Sequence, residues 1–295
     1  MTPARSLGFG ILVASTLAAF WGPLTTLVRF SFEHEHYSHV ILIPLVTAGL
    51  LILGRRRIFS DTETTWRIGA GLLAASALLY TFTRTFPSAT ENDRLALTTL
   101  SLIIAWGGAF VLCYGLRATR RARFPLLFLL LMVPIPESLL NHVVALLRAG
   151  STEISYAILE LLGVPFLRTG FVFVFPTFAV EVAEECSGIR SSLGLLVVSL
   201  LAGHLFLRSA WTKAVLTLAT VPLLIVKNGS RIVTLSLLSM YVDPGFLTGS
   251  LHRRGGFVFA LVALALLAGL LWFLQSAERR TQRGTTHLSV RRSAG

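Results

Sequence analysis

Charge is scarce in this chain. Only 14% of its 295 residues are Asp, Glu, Lys or Arg, against roughly 25% in soluble domains. Hydrophobic residues make up 54% and the mean hydropathy is +0.74, which excludes an ordinary soluble domain and indicates a polytopic membrane protein. Acids are scarcer than bases, 14 against 26, for a formal net charge of +12. Such an excess is compatible with nucleic-acid binding, but the basic residues fall in short clusters between long apolar runs and form no single soluble face. Nucleic acid is therefore not an expected partner, and the distribution reads as topology. Cysteine is nearly missing: Cys113 and Cys186 are the only two, too few for a disulfide framework. Cys113, inside WGGAFVLCY, reads as packing. There is no internal repeat and no low-complexity stretch. Residues 1–276 read as one membrane-embedded domain and 277–295 as a basic, disordered cytoplasmic tail.

What is abundant is apolar runs. A helix needs about 20 mostly apolar residues to cross a hydrocarbon core of roughly 30 Å. Eight runs qualify as expected spans, near Leu7–Val28, His39–Leu53, Ile68–Phe82, Leu95–Leu116, Phe124–Val133, Ile189–Leu207, Trp211–Val226 and Gly256–Leu274. The fifth is the shortest, and without it there are seven. The fold class is thus all-α polytopic membrane protein, with an outer connection between spans five and six. In that connection, residues 138–162 carry apolar positions at helical spacing with a break at Ala149-Gly150, an amphipathic pair at the interface. After Gly163, FVFVFPTFAVEVAE is aromatic and β-branched with partial alternation, so one or two extended segments are expected.

With both termini inside, sixteen of the 26 basic residues and three of the 14 acids fall on the inner side. The inside is then +13 and the outside −1, which satisfies the excess of Lys and Arg in cytoplasmic loops. Clustered arginines at that surface suit anionic lipids. Cys186 falls on the outer side, in AEECSGIRSS. Ser187-Gly188 is a plausible helix start, where free N–H groups lower a thiol pKa. Arg190 follows one turn on, while Glu185 and its neighbour Glu184 act in the opposite sense. Downstream, Lys227 and Arg231 enter an apolar register in KNGSRIVTLSLL, where charge is costly and marks function. His252 follows in SLHRRGG.

The segments VEVAEECSGIRS, VKNGSRIVTLSLL and LHRRGG, in that order, together with HYSHVILIP near the second span, resemble the exosortase/archaeosortase family of membrane-embedded cysteine transpeptidases. The resemblance implies a catalytic Cys186, Arg231 and His252 within segments 180–192, 226–234 and 250–256. Glu185, Ser187, Gly188, Arg190 and Asn228 are supporting or substrate-binding candidates, and no cofactor or metal is implied. Histidine at the third position matches the bacterial branch, hence a multi-pass protein of the bacterial inner membrane with its active site at the outer face. The implied partners are exported proteins ending in a short motif such as Pro-Glu-Pro, a transmembrane helix and a basic cluster, with a surface glycan or lipid as acceptor. A transporter or a non-enzymatic subunit of a polysaccharide-export system is the alternative, and a protease without transfer is another. A transporter should show interrupted helices in two related halves, which this sequence does not.

Three further groups have plainer readings. HEHYSH, with His34, Glu35, His36 and His39, reads as an interfacial turn more readily than a metal site. Asn228-Gly-Ser is a formal glycosylation sequon that reads instead as a helix distortion. One of Glu181, Glu184 and Glu185 is expected to pair with Arg190 or Arg231. The charge partition yields the first test: a membrane-impermeant thiol reagent should label an engineered cysteine within 138–162 in intact cells. Labelling only after permeabilisation would invert the topology.

Overall fold

The computed structural model describes residues 3–33, 37–63, 65–85, 90–183, 189–247 and 256–293, leaving aside the side chains of 189–191 and 282–293. It is almost wholly helical: α1 (Pro3–Ala19), α2 (Trp21–Glu33), α3 (Leu42–Leu53), α4 (Arg55–Ile58), α5 (Trp66–Thr85), α6 (Glu91–Arg121), α7 (Arg123–Phe128), α8 (Glu137–Leu161), α9 (Ile189–Phe206), α10 (Ala210–Leu218), α11 (Thr220–Tyr241) and α12 (Gly256–Ser293). Three short strands, β1 (Leu167–Thr169), β2 (Val172–Val174) and β3 (Ala179–Glu181), lie between α8 and α9. The chain is an all-α polytopic membrane protein with a small β insert.

Proline sets several of the boundaries. A proline ring collides with the carbonyl four residues back and removes an amide donor. Pro23, Pro125 and Pro222 each stand four residues after the end of a helix, at Ala19, Arg121 and Leu218. The first expected span is consequently two helices, α1 and α2, bent by 74°. The fifth is α7 with a 3₁₀ turn, Leu129–Met132, and a bend separates it from α8. By length and composition three described helical stretches can cross a membrane, α6, α10 with α11, and α12, or five if each bent pair counts as one span. The eight apolar runs all appear as helices, but α3, with 12 residues, is below spanning length.

The described chain divides into two compact units, Met1–Leu140 and Asn141–Gly295. In the first, α5 and α6 pack face to face at small residues. A Cβ on Gly69 would meet Leu112 Cβ at 2.6 Å, and one on Gly108 would meet Leu72 Cβ at 3.0 Å, the close backbone approach that small residues permit in membranes. Ser76 donates to the Ser101 carbonyl at 2.7 Å across this contact, and Trp106 Nε1 ties α1 to α6 through Thr16 Oγ1 at 3.0 Å. Cys113 is buried with Phe110, Tyr114 and Ile58, and Phe9 and Phe59 close over the cluster. It serves as packing, as its sequence context suggests.

In the second unit α8 is one continuous helix of 25 residues, not the pair expected from Ala149-Gly150. Gly150 is there for contact: a Cβ on it would lie 2.8 Å from Ile225 Cδ1. A helix breaks at glycine only when nothing else holds it, and here α11 does. Gly163 (φ +66°) closes α8, its N–H bonding the Glu160 carbonyl at 3.0 Å and that of Val164 the Leu159 carbonyl at 3.2 Å, a Schellman cap. The expected one or two extended segments are a three-stranded antiparallel sheet in the order β1-β2-β3. The last helix, α12, runs from Gly256 to Ser293.

Gly115 supplies a test of the first unit. Its φ is +80°, and a Cβ there would collide with the Glu63 carbonyl oxygen. Gly115→Ala should lower stability by about 2 kcal/mol or more, from the positive φ and the backbone collision together. Gly107→Ala on the same helix, with nothing within 4 Å, should leave the melting temperature of the detergent-solubilised protein nearly unchanged.

Candidate functional site

The site is built on α11. Between Pro222 and Tyr241 this helix carries Lys227, Asn228 and Arg231, so the two cations stand one turn apart. Asn228 is 1% exposed and Lys227 8%, and Arg231 is half-buried. Lys227 is one of only two lysines in the chain. The helix passes through Asn228-Gly229-Ser230 without interruption. This corrects the expectation of a distortion there, and burial of the Asn228 side chain leaves no room for a glycan.

Gly229 and Asn228 act as a seam with α8. A Cβ on Gly229 would lie 2.6 Å from Ile154 Cγ2 and 3.2 Å from the Ser151 carbonyl. The absence of a side chain lets the two backbones touch. Asn228 Nδ2 donates to Ser151 Oγ at 3.1 Å, and Ser155 Oγ donates to the Ser151 carbonyl at 2.7 Å and the Gly229 carbonyl at 3.3 Å. These bonds satisfy polar groups that would otherwise be stranded in an apolar interior.

On a second side, α11 supports the sheet. Ile232 and Val233, which directly follow Arg231, pack with Leu159, Phe173, Phe175 and Val182. Alternation places Phe173, Val180 and Val182 on this buried face, while Leu167, Thr169, Ala179 and Glu181 are exposed. Arg148, on α8, fixes the end of β3. Its Nε donates to the Val182 carbonyl at 2.5 Å, its guanidinium meets Glu181 at 3.1 Å and stacks over Phe171 at 4.1 Å. Glu181 thus pairs with Arg148, whereas Glu184, Glu185 and the side chain of Arg190, on which the expected pairing also rests, lie outside the described residues. Glu153 and Arg168 form a second pair at 2.6 Å, with the neighbouring carboxylate raising the guanidinium pKa of Arg168. Sequence reading missed Arg148. Its one signal was a lone base in the apolar run VVALLRAGS.

On a third side α11 packs against α9 and α12 through Leu195, Leu224, Ala263 and Leu267. Between these three helices lies a partly open cleft of about 220 Å³ lined by Gly194, Val198, Ala260 and Leu264 among others, with Lys227 as its one polar lining residue among the described residues. α9 begins at Ile189 and α12 at Gly256, three residues after Cys186 and four after His252. The helices that follow the expected thiol and imidazole therefore both pack on the helix that carries Arg231. Glu185, Cys186, Ser187, Gly188 and His252 lie outside the described residues, as do Glu184 and the side chain of Arg190. Arg231 and Asn228 are the expected site residues that the structure places. His34, Glu35 and His36 also lie outside the description, and among the described residues no group of three His, Cys, Asp or Glu is arranged to hold a metal.

The family model for transmembrane exosortases (Exosortase_EpsH) matches residues 31–269. No curated protein and no solved structure matches the chain. The matched segment takes in every helix from α3 to α11 and runs into α12, with the sheet and all three segments singled out in the sequence, so the chain belongs to the transmembrane exosortase family.

Proposed function

We propose that this protein is a cysteine transpeptidase of the bacterial inner membrane. It removes the C-terminal sorting tail of exported, membrane-anchored proteins and passes them to a surface acceptor. The observation that carries this reading is membership in the exosortase family over residues 31–269, with Cys186, Arg231 and His252 all inside the match. Both termini are cytoplasmic on the charge partition, which puts the thiol at the outer boundary.

The chemistry follows from the residue types. Cys186 attacks the scissile carbonyl as thiolate, forming a carbon–sulfur bond and a tetrahedral oxyanion that Arg231 stabilises. Collapse breaks the carbon–nitrogen bond, and His252 gives its proton to the leaving amine of the tail. A hydroxyl or amine of the acceptor then attacks the thioester, its proton goes to His252, and the thiolate is released. Water in place of the acceptor gives hydrolysis. The rigid surround of α11 supports the role given to Arg231, because an oxyanion donor acts only if it is held in position. Tethering by the substrate's own helix holds the motif at the depth of the thiol and raises its effective concentration.

The test is processing of a tail carrying Pro-Glu-Pro, an apolar helix and arginines, co-expressed with the enzyme. Cys186→Ala should abolish processing while the protein remains folded and inserted, whereas Cys113→Ala should retain it. Arg231→Lys keeps charge but loses the planar fork, so activity should fall on the order of 10²-fold. His252→Ala should be severely impaired and should raise the pH at which Cys186 is alkylated. Equal processing by the two cysteine variants would defeat the proposal.

A further inference from the structure

Among the described residues the three-stranded sheet is left with an open edge, on the strand that precedes the expected nucleophile in the chain. β3 is terminal in the order β1-β2-β3. The N–H of Phe175 bonds the Phe178 carbonyl at 2.8 Å and that of Val182 the Phe171 carbonyl at 2.9 Å, with Phe173 opposite Val180 between them. In an antiparallel pair the intervening residues face the other way. The N–H and C=O groups of Ala179 and Glu181 therefore point out from the sheet, and both residues are exposed. The strand is rigidly backed: Val180 and Val182 pack over Phe173 toward Ile232 and Val233, and Arg148 grips the Val182 carbonyl.

We propose that this edge of β3 is the substrate-docking strand, on which the segment of the tail at the cleavage point lies extended and pairs backbone to backbone as a fourth strand. The inference rests on the function proposed above. Three considerations select this occupant. A scissile amide inside a helix is screened by its own turn and hydrogen bond, so a tail anchored by a helix must present its cleavage point extended. Glu181 stands five residues before Cys186, at most about 17 Å of chain, so a peptide on this edge is led toward the thiol. The edge is also held by α8 and α11, and a rigid template lowers the ordering cost of strand addition. The opposite edge, β1, follows α8 and lies some twenty residues from Cys186 in the chain.

The experiment uses the full-length enzyme in nanodiscs and the tail it processes, synthesised as a series with one backbone amide N-methylated at each position around the cleavage point. Strand pairing predicts that KM rises roughly three- to tenfold, the worth of one neutral hydrogen bond, at every second position and little between. Ala179→Pro removes an outward donor and spares the bonds to β2, as proline on an edge strand does. It should raise KM with the alkylation rate of Cys186 and the melting temperature unchanged. A response without alternation overturns the inference and leaves the proposed function standing. So does an Ala179→Pro variant that loses self-association with KM unchanged, because the edge would then pair two copies of this chain. Failure to process any tail would remove both readings.

Discussion

Two cations one turn apart on an apolar helix are the constraint on which the second unit depends. Charge within a hydrocarbon span costs several kcal/mol unless protein or water surrounds it, and like charges at this spacing repel. Lys227 and Arg231 persist because neighbours pack around α11 where they stand, while Val226 and Thr234 mark its exposed face. Gly229, Ser151 and Ser155 bring α8 into backbone contact, the sheet covers Ile232 and Val233, and α9 and α12 close over Leu224. Each neighbour does a second task. The helix packed on one side starts just after Cys186, the one on another just after His252, and the sheet leads into the segment that holds the thiol. The packing that covers the cations thus also brings onto α11 the helices that follow Cys186 and His252 in the chain.

Much of this was legible in the sequence. The apolar runs gave the helices, because burying or spanning with apolar residues leaves the backbone no other way to satisfy its hydrogen bonds. FVFVF announced strands by alternation, and Phe173 and Phe175 do face the core, while Phe171 is exposed beneath Arg148. Lys227 and Arg231 stood out as charges in an apolar register, and the structure finds the first buried and the second half-buried.

What was not legible shares a physical cause: the same residue serves opposite purposes in different surroundings. Ala149-Gly150 has the composition of a break and is a contact, since glycine weakens a helix by about 1 kcal/mol alone but admits a neighbour that returns more. Asn228-Gly229 misled in the same way. Its glycine serves the approach of Ile154, and its amide binds Ser151. Arg148 could not be weighed, because its partners are a carbonyl, a carboxylate and a ring that lie 23 to 34 residues away in the chain. Proline was a signal passed over, since each of three prolines stands inside an expected single span. Its clash with the carbonyl four back is local, so Pro23, Pro125 and Pro222 mark helix ends regardless of tertiary context.

A helical membrane protein rarely needs strands, and the described residues of this one include three, each of three residues, shortly before its proposed nucleophile in the chain. Helices are the means of crossing and of holding charge within the body, but a helix has already used its backbone hydrogen bonds and can offer none to a peptide. A strand at a sheet edge keeps half of its own free. Arg148 makes such an edge practicable on so small a sheet. A three-stranded sheet of this length is marginal without a helix behind it, and the guanidinium joins helix, strand end and Phe171 in one contact. The division between helices that anchor and strands that present follows from which elements have backbone groups to spare.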